Sequence, residues 1–418
     1  MIGLAQMRFG IAGSDKLQEG TISVKATNSI YTGMPTTIFE VMSQLARESG
    51  SINLGQGFPD VDGPLDIRQK AADELISGYN QYPPMMGLPV LRQAVADANK
   101  RFYDLDIDPA NEVVVTSGAT EAISDCLTAL IEEGDEVILI EPLYDCYLPL
   151  AKRAGATVKS IRIVPPKWQI DRAELEAVFS DRTKLIVLND PHNPAGKVYS
   201  DEEKGWIAEL LEKYDAYAVC DEVYEHITFD GLPHKPLMAF DGMRERCLRI
   251  GSAGKTFSLT GWKIGYITGS KELLDPVAKA HQFSTFTTAP NLQEAIALGL
   301  NKDNSYYEEL SSDLQSKRDR LAAGLRDVGF EVIDSQGSYF LTTDVTDLCA
   351  KKGLPLDDAA FCQTITEQAG VTAVPVSAFY IEDENHAAAP KQFVRFCFCK
   401  KESVLDEAIQ RLKNWAVQ

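Results

Sequence analysis

Between residues 112 and 269 the chain alternates short β-branched runs with stretches of helical periodicity, and this rhythm constrains the fold more than any other feature. "EVVVTSG" (112–118), "DEVILIE" (135–141), "KLIVLN" (184–189), "YAVCDE" (217–222), "CLRIGS" (247–252) and "GYITG" (265–269) read as strands. "ATEAISDCLTALIEEG" (119–134) places Ala122, Ile123, Cys126, Leu127 and Leu130 at helical spacing, with Gly134 as a stop. "DEEKGWIAELLEKY" (201–214) is a second helical stretch. Strands and helices in this order predict an α/β fold, with a mainly parallel sheet covered by helices on both faces.

Near residue 290 the pattern changes. "APNLQEAIALGL" (289–300) and "NSYYEELSSDLQSKRDRLAAGLRDVG" (304–329) read as long helices, and "GSYFLTTD" (337–344) and "FVRFCFC" (393–399) as strands. The final stretch carries Val404, Leu405, Ala408, Ile409, Leu412 and Trp415 on one helical face. The expected division is a large domain over 71–300 and a smaller α+β domain over 301–418. Residues 35–70 are expected to pack beside the smaller domain, and 1–34 to form an arm or a processed leader.

The formal net charge of −20 and a pI near 4.7 argue against nucleic acid and anionic membranes as partners. No run approaches the roughly 18 apolar residues of a membrane span. The eight cysteines form no Cys-x-x-Cys pair, and the five histidines show no metal-ligand spacing. Reduced thiols in a cytoplasmic enzyme without a metal are the expectation.

Ligands of open α/β sheets bind beyond the carboxyl ends of the strands. Those ends deliver Ser117-Gly118-Ala119-Thr120 at a helix start, then "EPLYDCY", then "NDPHNPAGK", then Asp221, then Ser252 and Lys255. Gly254-Lys255-Thr256 raises the question of a nucleotide phosphate loop. Such a loop needs a glycine five positions before the Gly-Lys pair, where Arg249 stands, so that reading fails. The alternative is covalent chemistry at Lys255, which requires an activated amine and an electron sink. Pyridoxal 5'-phosphate (PLP) meets that description. It asks for a lysine, a carboxylate on its ring nitrogen, an aromatic ring against its face and a helix N-terminus for its phosphate.

"SINLGQGFPD", "EPLYDCY", "NDPHNPAGKV", "CDEVYEH", "SAGKTFSLTGWKIG" and "FVRFCF" occur in this order. Together they resemble a class I, fold-type I PLP aminotransferase. The likeness runs from about residue 35 to 416. It is nearest to the branch of kynurenine aminotransferase, glutamine transaminase K, cysteine-conjugate β-lyase and methionine aminotransferase.

By residues alone, Lys255 could be a surface lysine, Asp221 a helix cap or ion-pair member, Tyr144 a core tyrosine and Arg395 half of an internal ion pair. The resemblance gives each a role. Lys255 becomes the covalent anchor and then the proton carrier, and Asp221 the partner of the ring nitrogen. Asn193 and Tyr224 become donors to the ring oxygen O3′, with Asn189 a weaker candidate behind them. Tyr144 becomes the ring-stacking aromatic. Gly118, Ala119 and Thr120 would form the phosphate cup with Ser252 and Lys263. Lysine at 263, where arginine is commoner in the wider superfamily, narrows the branch. Arg395 becomes the clamp for the substrate carboxylate, with Gly57 approaching it by backbone. Tyr82 resembles a residue that reaches the neighbouring subunit's site, so a homodimer is implied. Phe39 and Phe286 are candidate pocket walls, and His192 a structural residue.

The implied activity is transamination between an L-amino acid and a 2-oxo acid by a ping-pong route. The expected donors are apolar, aromatic or sulfur-containing amino acids, or glutamine. A β-lyase acting on cysteine conjugates would use the same residues. A non-enzymatic PLP-binding module, as in regulators carrying a DNA-binding head, is disfavoured by the net charge and the short segment before the match.

Overall fold

The structure, a computed structural model, describes residues 25–382 and 387–418. The arm expected at the N-terminus lies largely outside them. Residues 25–34 contain one helical turn, Ser29–Thr32, and Pro35–Gln418 forms one compact unit.

Seven strands form the central sheet: β1 (Val113–Thr116), β2 (Glu136–Glu141), β3 (Thr157–Arg162), β4 (Thr183–Asn189), β5 (Tyr217–Asp221), β6 (Cys247–Ser252) and β7 (Gly265–Thr268). Their order is β1-β7-β6-β5-β4-β2-β3. Only β7 runs antiparallel to its neighbours; the other pairs are parallel. The carboxyl ends of β1, β2, β4, β5 and β6 therefore share one rim.

Strand residues divide between two cores with period two. Ile138, Ile140, Ile186, Leu188, Ala218 and Cys220 enter one core. Val137, Leu139, Leu185, Val187, Val219 and Ile250 enter the other. Burial on both faces explains why these strands are apolar throughout. The sequence gives no strand signal at β3 because it is an edge strand, mostly half-exposed, with Lys159 and Arg162 among its residues. The helix expected over 119–134 ends at Leu130. Ile131 turns extended, and Gly134, at φ +94°, serves the turn into β2.

A second, antiparallel sheet has the order β10 (Val374–Pro375), β11 (Phe393–Cys397), β9 (Phe340–Asp344), β8 (Glu331–Val332). Helices Asn304–Val328 and Glu402–Ala416 share its core. Ile52–Asn53 pairs in parallel with Val371–Thr372. The strand expected from residue 337 starts only at Phe340. Ser338 takes a left-handed φ of +60°, which sets Tyr339 apart from the strand pleat.

Candidate active site

The site lies along the rim of the large sheet. Sheet register puts Asn189 beside Asp221, and Gly265 beside both Ser252 and Thr116. Two adjoining chambers, each of about 260 Å³, share Gly57, Phe58, Tyr144, Asn193, Tyr224 and Lys255.

The first chamber ends in a cup. Gly118, at φ +84°, turns the chain from β1 into the helix Ala119–Leu130, whose first-turn N–H groups lack intrahelical acceptors. The turn lies so close to β7 that a Cβ on Gly265 would stand 2.7 Å from the Gly118 carbonyl carbon. Lys263, itself at φ +55°, brings its Nζ to 3.2 Å from where a Gly118 Cβ would stand. Ala119, Thr120, Ser252 and Thr260 line the same cup. Backbone donors, hydroxyls and one ammonium converging at a helix start form an anion site.

Asp221 ends β5, and its carboxylate accepts from Tyr147 Oη at 2.5 Å. Burial raises its pKa, and among the described residues no cation lies within ion-pair distance of it. The positive partner expected for so buried a carboxylate is thus not supplied by those residues. Asn189 lines the chamber, but its amide is committed: Nδ2 donates to the Asp221 carbonyl at 2.9 Å, and Oδ1 accepts from Asn193 N at 2.7 Å. It braces the two loops rather than offering free groups.

Lys255 sits on the single turn Ala253–Thr256 after β6. Its Nζ donates to Tyr339 Oη at 2.9 Å and lies 5.5 Å from the Tyr224 ring centroid. Burial lowers its pKa, partly offset by Cys399 and Asp221.

Arg395, on β11, is fully buried. Nη1 donates to Asn193 Oδ1 and Nη2 to the Gly55 carbonyl, both at 2.8 Å. Nε has no acceptor. Its carbon CZ stands 3.9 Å from the Phe340 ring centroid and 5.2 Å from that of Phe39. Burial pushes its pKa down to about 10. Among the described residues Arg395 forms no ion pair, so none of them supports that alternative. By pinning the Asn193 oxygen, Arg395 also leaves the Asn193 Nδ2 donor for the cleft.

Gly57 borders both chambers, and a Cβ there would meet the Phe340 ring at 2.6 Å. Phe39 lines the second chamber. Tyr144 lines both chambers and meets Tyr147 edge-on, with centroids 5.8 Å apart. Tyr82 and Phe286 line neither chamber. They stack edge-on with centroids 5.5 Å apart at the surface, where Tyr82 is 80% exposed. Phe286 is therefore not a wall of this chain's own pocket. His192 is buried, and burial holds its pKa near 3, so it stays neutral.

Sequence reasoning missed Tyr147, Thr260, Tyr339, Phe340, Phe58 and Asp145. Tyr147 and Asp145 stand inside the motif "EPLYDCY", where only Tyr144 was singled out. The fold also gathers Glu121, Asp125 and His281, which no spacing announced. Both ring nitrogens of His281 are engaged, Nδ1 with Glu121 at 2.7 Å and Nε2 with the Met85 carbonyl at 3.1 Å. Because Met85 can only accept, Nε2 carries a proton. The two acids raise the imidazole pKa to about 9 despite its burial, so a proton on Nδ1 holds the cluster together.

The residues present fit PLP. An anion cup at one end, a buried carboxylate lacking a cation at the other and a lysine between them match its phosphate, ring nitrogen and aldehyde carbon. Residues 49–412 match the family pattern described as aminotransferase class I and II. The probable N-succinyldiaminopimelate aminotransferase of Mycobacterium tuberculosis is 44% identical, covering 90% of this chain and 95% of its own length. Its solved structure superposes with a TM-score of 0.89, covering 93% of this chain and all of that chain. The Escherichia coli methionine aminotransferase is 38% identical over 91% of this chain and 96% of its own length. Human kynurenine–oxoglutarate transaminase 3 is 39% identical over 95% and 92%. The fold and site define a fold-type I, PLP-dependent enzyme that transfers amino groups. The chain belongs to the class I and II aminotransferases.

Proposed function

We propose that this aminotransferase moves the amino group of an L-amino acid with an uncharged side chain to a 2-oxo acid, by a ping-pong route in a cytoplasmic homodimer. The donors would be apolar, aromatic or sulfur-containing amino acids, or glutamine. One observation carries the reading: Arg395, a buried guanidinium in the second chamber, has no carboxylate partner among the described residues. A substrate α-carboxylate is the group that would complete it.

The walls favour uncharged side chains. Phe39, Phe58, Tyr144 and Phe340 line the second chamber with Glu40 and Asp145, and its cations are Arg395 and Lys255. An ω-carboxylate would meet two acids and no second arginine there. The relatives' names span succinyldiaminopimelate, methionine and kynurenine, so they share the α-amino acid end more than any side chain.

When bound, PLP supplies the electron sink that makes the substrate Cα–H acidic. Asp221 would pair with the ring nitrogen and keep it positively charged. Asn193 and Tyr224 would hold the ring oxygen O3′ by donating to it, and Tyr144 would pack against the ring. Lys255 Nζ takes the proton from Cα and returns it on the other side of the reaction. Gly118, Ala119, Thr120, Ser252 and Lys263 would hold the phosphate. Gly57 lets the substrate carboxylate approach the backbone. Tyr82 and Phe286 stack edge-on at the surface, and Phe283, three residues before Phe286, is 85% exposed; these exposed rings support pairing with a second copy.

A panel of amino donors against several 2-oxo acids, with the absorption of the bound cofactor followed, tests the proposal. Methionine, phenylalanine or glutamine should bleach the bound cofactor's colour, and Lys255→Ala should abolish turnover. Exclusive use of aspartate and glutamate would sink the substrate assignment. Release of pyruvate and ammonia from cysteine conjugates without an acceptor would favour the β-lyase. A mass of one 46.0 kDa chain in solution would remove the dimer.

A further inference from the structure

Tyr339 is fully buried and lies outside every sequence motif that marks the site, yet its hydroxyl touches the reactive amine. It stands on the small sheet's side of the cleft, at the entry to β9. Lys255 comes from the large sheet and Gly57 from the N-terminal segment. The hydroxyl joins the two. It donates its one proton to the Gly57 carbonyl at 2.8 Å and accepts from Lys255 Nζ at 2.9 Å. The ring is fixed edge-on to Tyr224 and Phe340, with centroids 5.0 and 4.9 Å away.

We propose that Tyr339 is the positioning residue for Lys255, the acceptor on which the lysine amine rests once a substrate amine has displaced it from the cofactor. The inference rests on Lys255 being the covalent anchor. A carbonyl can only accept, so Gly57 fixes the direction of the Tyr339 O–H, and the oxygen faces Lys255 as an acceptor. A neutral amine has two hydrogens and one lone pair. One N–H rests on Tyr339, and the lone pair stays free to take the substrate Cα proton, which leaves an ammonium on the same acceptor. Tyr339 thereby fixes both the place of the nitrogen and the direction of its lone pair. Without it, the flexible four-carbon stem would swing among rotamers between the two halves of the reaction.

The other ionisable groups around Lys255 are Asp221 on β5, Tyr224 after it, and Arg395, Cys397 and Cys399 on or after β11. None of them is hydrogen-bonded to Nζ. Among the described residues, Tyr339 therefore contributes the one direct hydrogen bond that favours the protonated amine.

The test is Tyr339→Phe, which removes the hydroxyl and keeps the ring. The amine pKa of Lys255 is measured in cofactor-free protein from the pH dependence of its labelling by an amine reagent, read by mass spectrometry. Loss of an acceptor to a charged donor should lower it by about one unit. In loaded enzyme the pH titration of cofactor absorbance should move as well. The kcat should fall roughly 10- to 100-fold while KM for the amino donor changes less than about threefold. Unchanged labelling and absorbance titrations would overturn the proposal, whatever happens to kcat. Should Tyr339→Phe fail to fold, 3-fluorotyrosine at position 339 keeps ring and hydroxyl but weakens the acceptor. It should shift Lys255 in the same direction, and no shift would equally overturn the proposal. Wild-type protein that captures no PLP through Lys255 would instead undo the underlying reading of the anchor.

Discussion

Arg395→Met should separate function from stability. The guanidinium carries its charge in a fully buried place, where burial pulls its pKa down from the ordinary arginine value to about 10. At 1.36 kcal/mol per unit this depression is a desolvation cost on the order of 3 kcal/mol in the unliganded fold. Against it stand the two hydrogen bonds to Asn193 and Gly55 and the stack on Phe340. Each orphaned acceptor costs roughly 1–3 kcal/mol. Methionine fills comparable space and keeps favourable contact with the Phe340, Phe379 and Phe39 rings. The opposing effects nearly cancel, so the variant should unfold within about 1–2 kcal/mol of wild type. Catalysis has no such compensation. Losing the partner of a buried substrate carboxylate costs roughly 2–5 kcal/mol, a fall of about 30- to 5,000-fold in kcat/KM. Denaturant titration of the cofactor-loaded protein gives the first quantity, and steady-state kinetics with the best amino donor gives the second. A variant destabilised by more than ~4 kcal/mol that kept kcat/KM within threefold would refute the reasoning. It would mean that Arg395 serves the fold.

Three further outcomes are expected. Asp221→Asn keeps the shape of the β5 terminus and removes its charge; kcat should fall at least ~100-fold, with weaker retention of PLP on dialysis. Tyr147→Phe removes one donor to the Asp221 carboxylate and should weaken PLP binding by roughly tenfold, with little change in Tm. His281 has a folded pKa of about 9, raised above its ordinary 6.5 by Glu121 and Asp125. Its contribution is fully present below pH 6.5 and lost as pH rises through about 9. The Tm of cofactor-free protein should therefore decline across that window in wild type, and the decline should be shallower in His281→Gln.

What the sequence makes visible has a physical logic, and Asp221 and Arg395 show it best. Asp221 ends an apolar strand and Arg395 sits inside one, so each breaks a pattern that burial would otherwise enforce. Each proves to be buried without an opposite charge among the described residues, as the proposed function requires if the cofactor ring is to complete Asp221 and a substrate carboxylate Arg395. Gly118 and Lys255 are legible for a related reason: they stand where a strand end meets a helix start, and the rim of a parallel sheet is where ligands bind. Tyr147 and Tyr339 break no pattern. Tyrosines near strands and helices are ordinary, and what matters about these two is a hydroxyl meeting a group 74 or 84 residues away. Asn189 marks the boundary. It sits at a strand end and reads as a ligand residue, but its amide is spent within the chain on Asn193 and Asp221. Groups that await a ligand thus look anomalous in sequence, whereas groups that orient them look satisfied. The second set emerges only when the two sheets and the N-terminal segment are brought to one cleft.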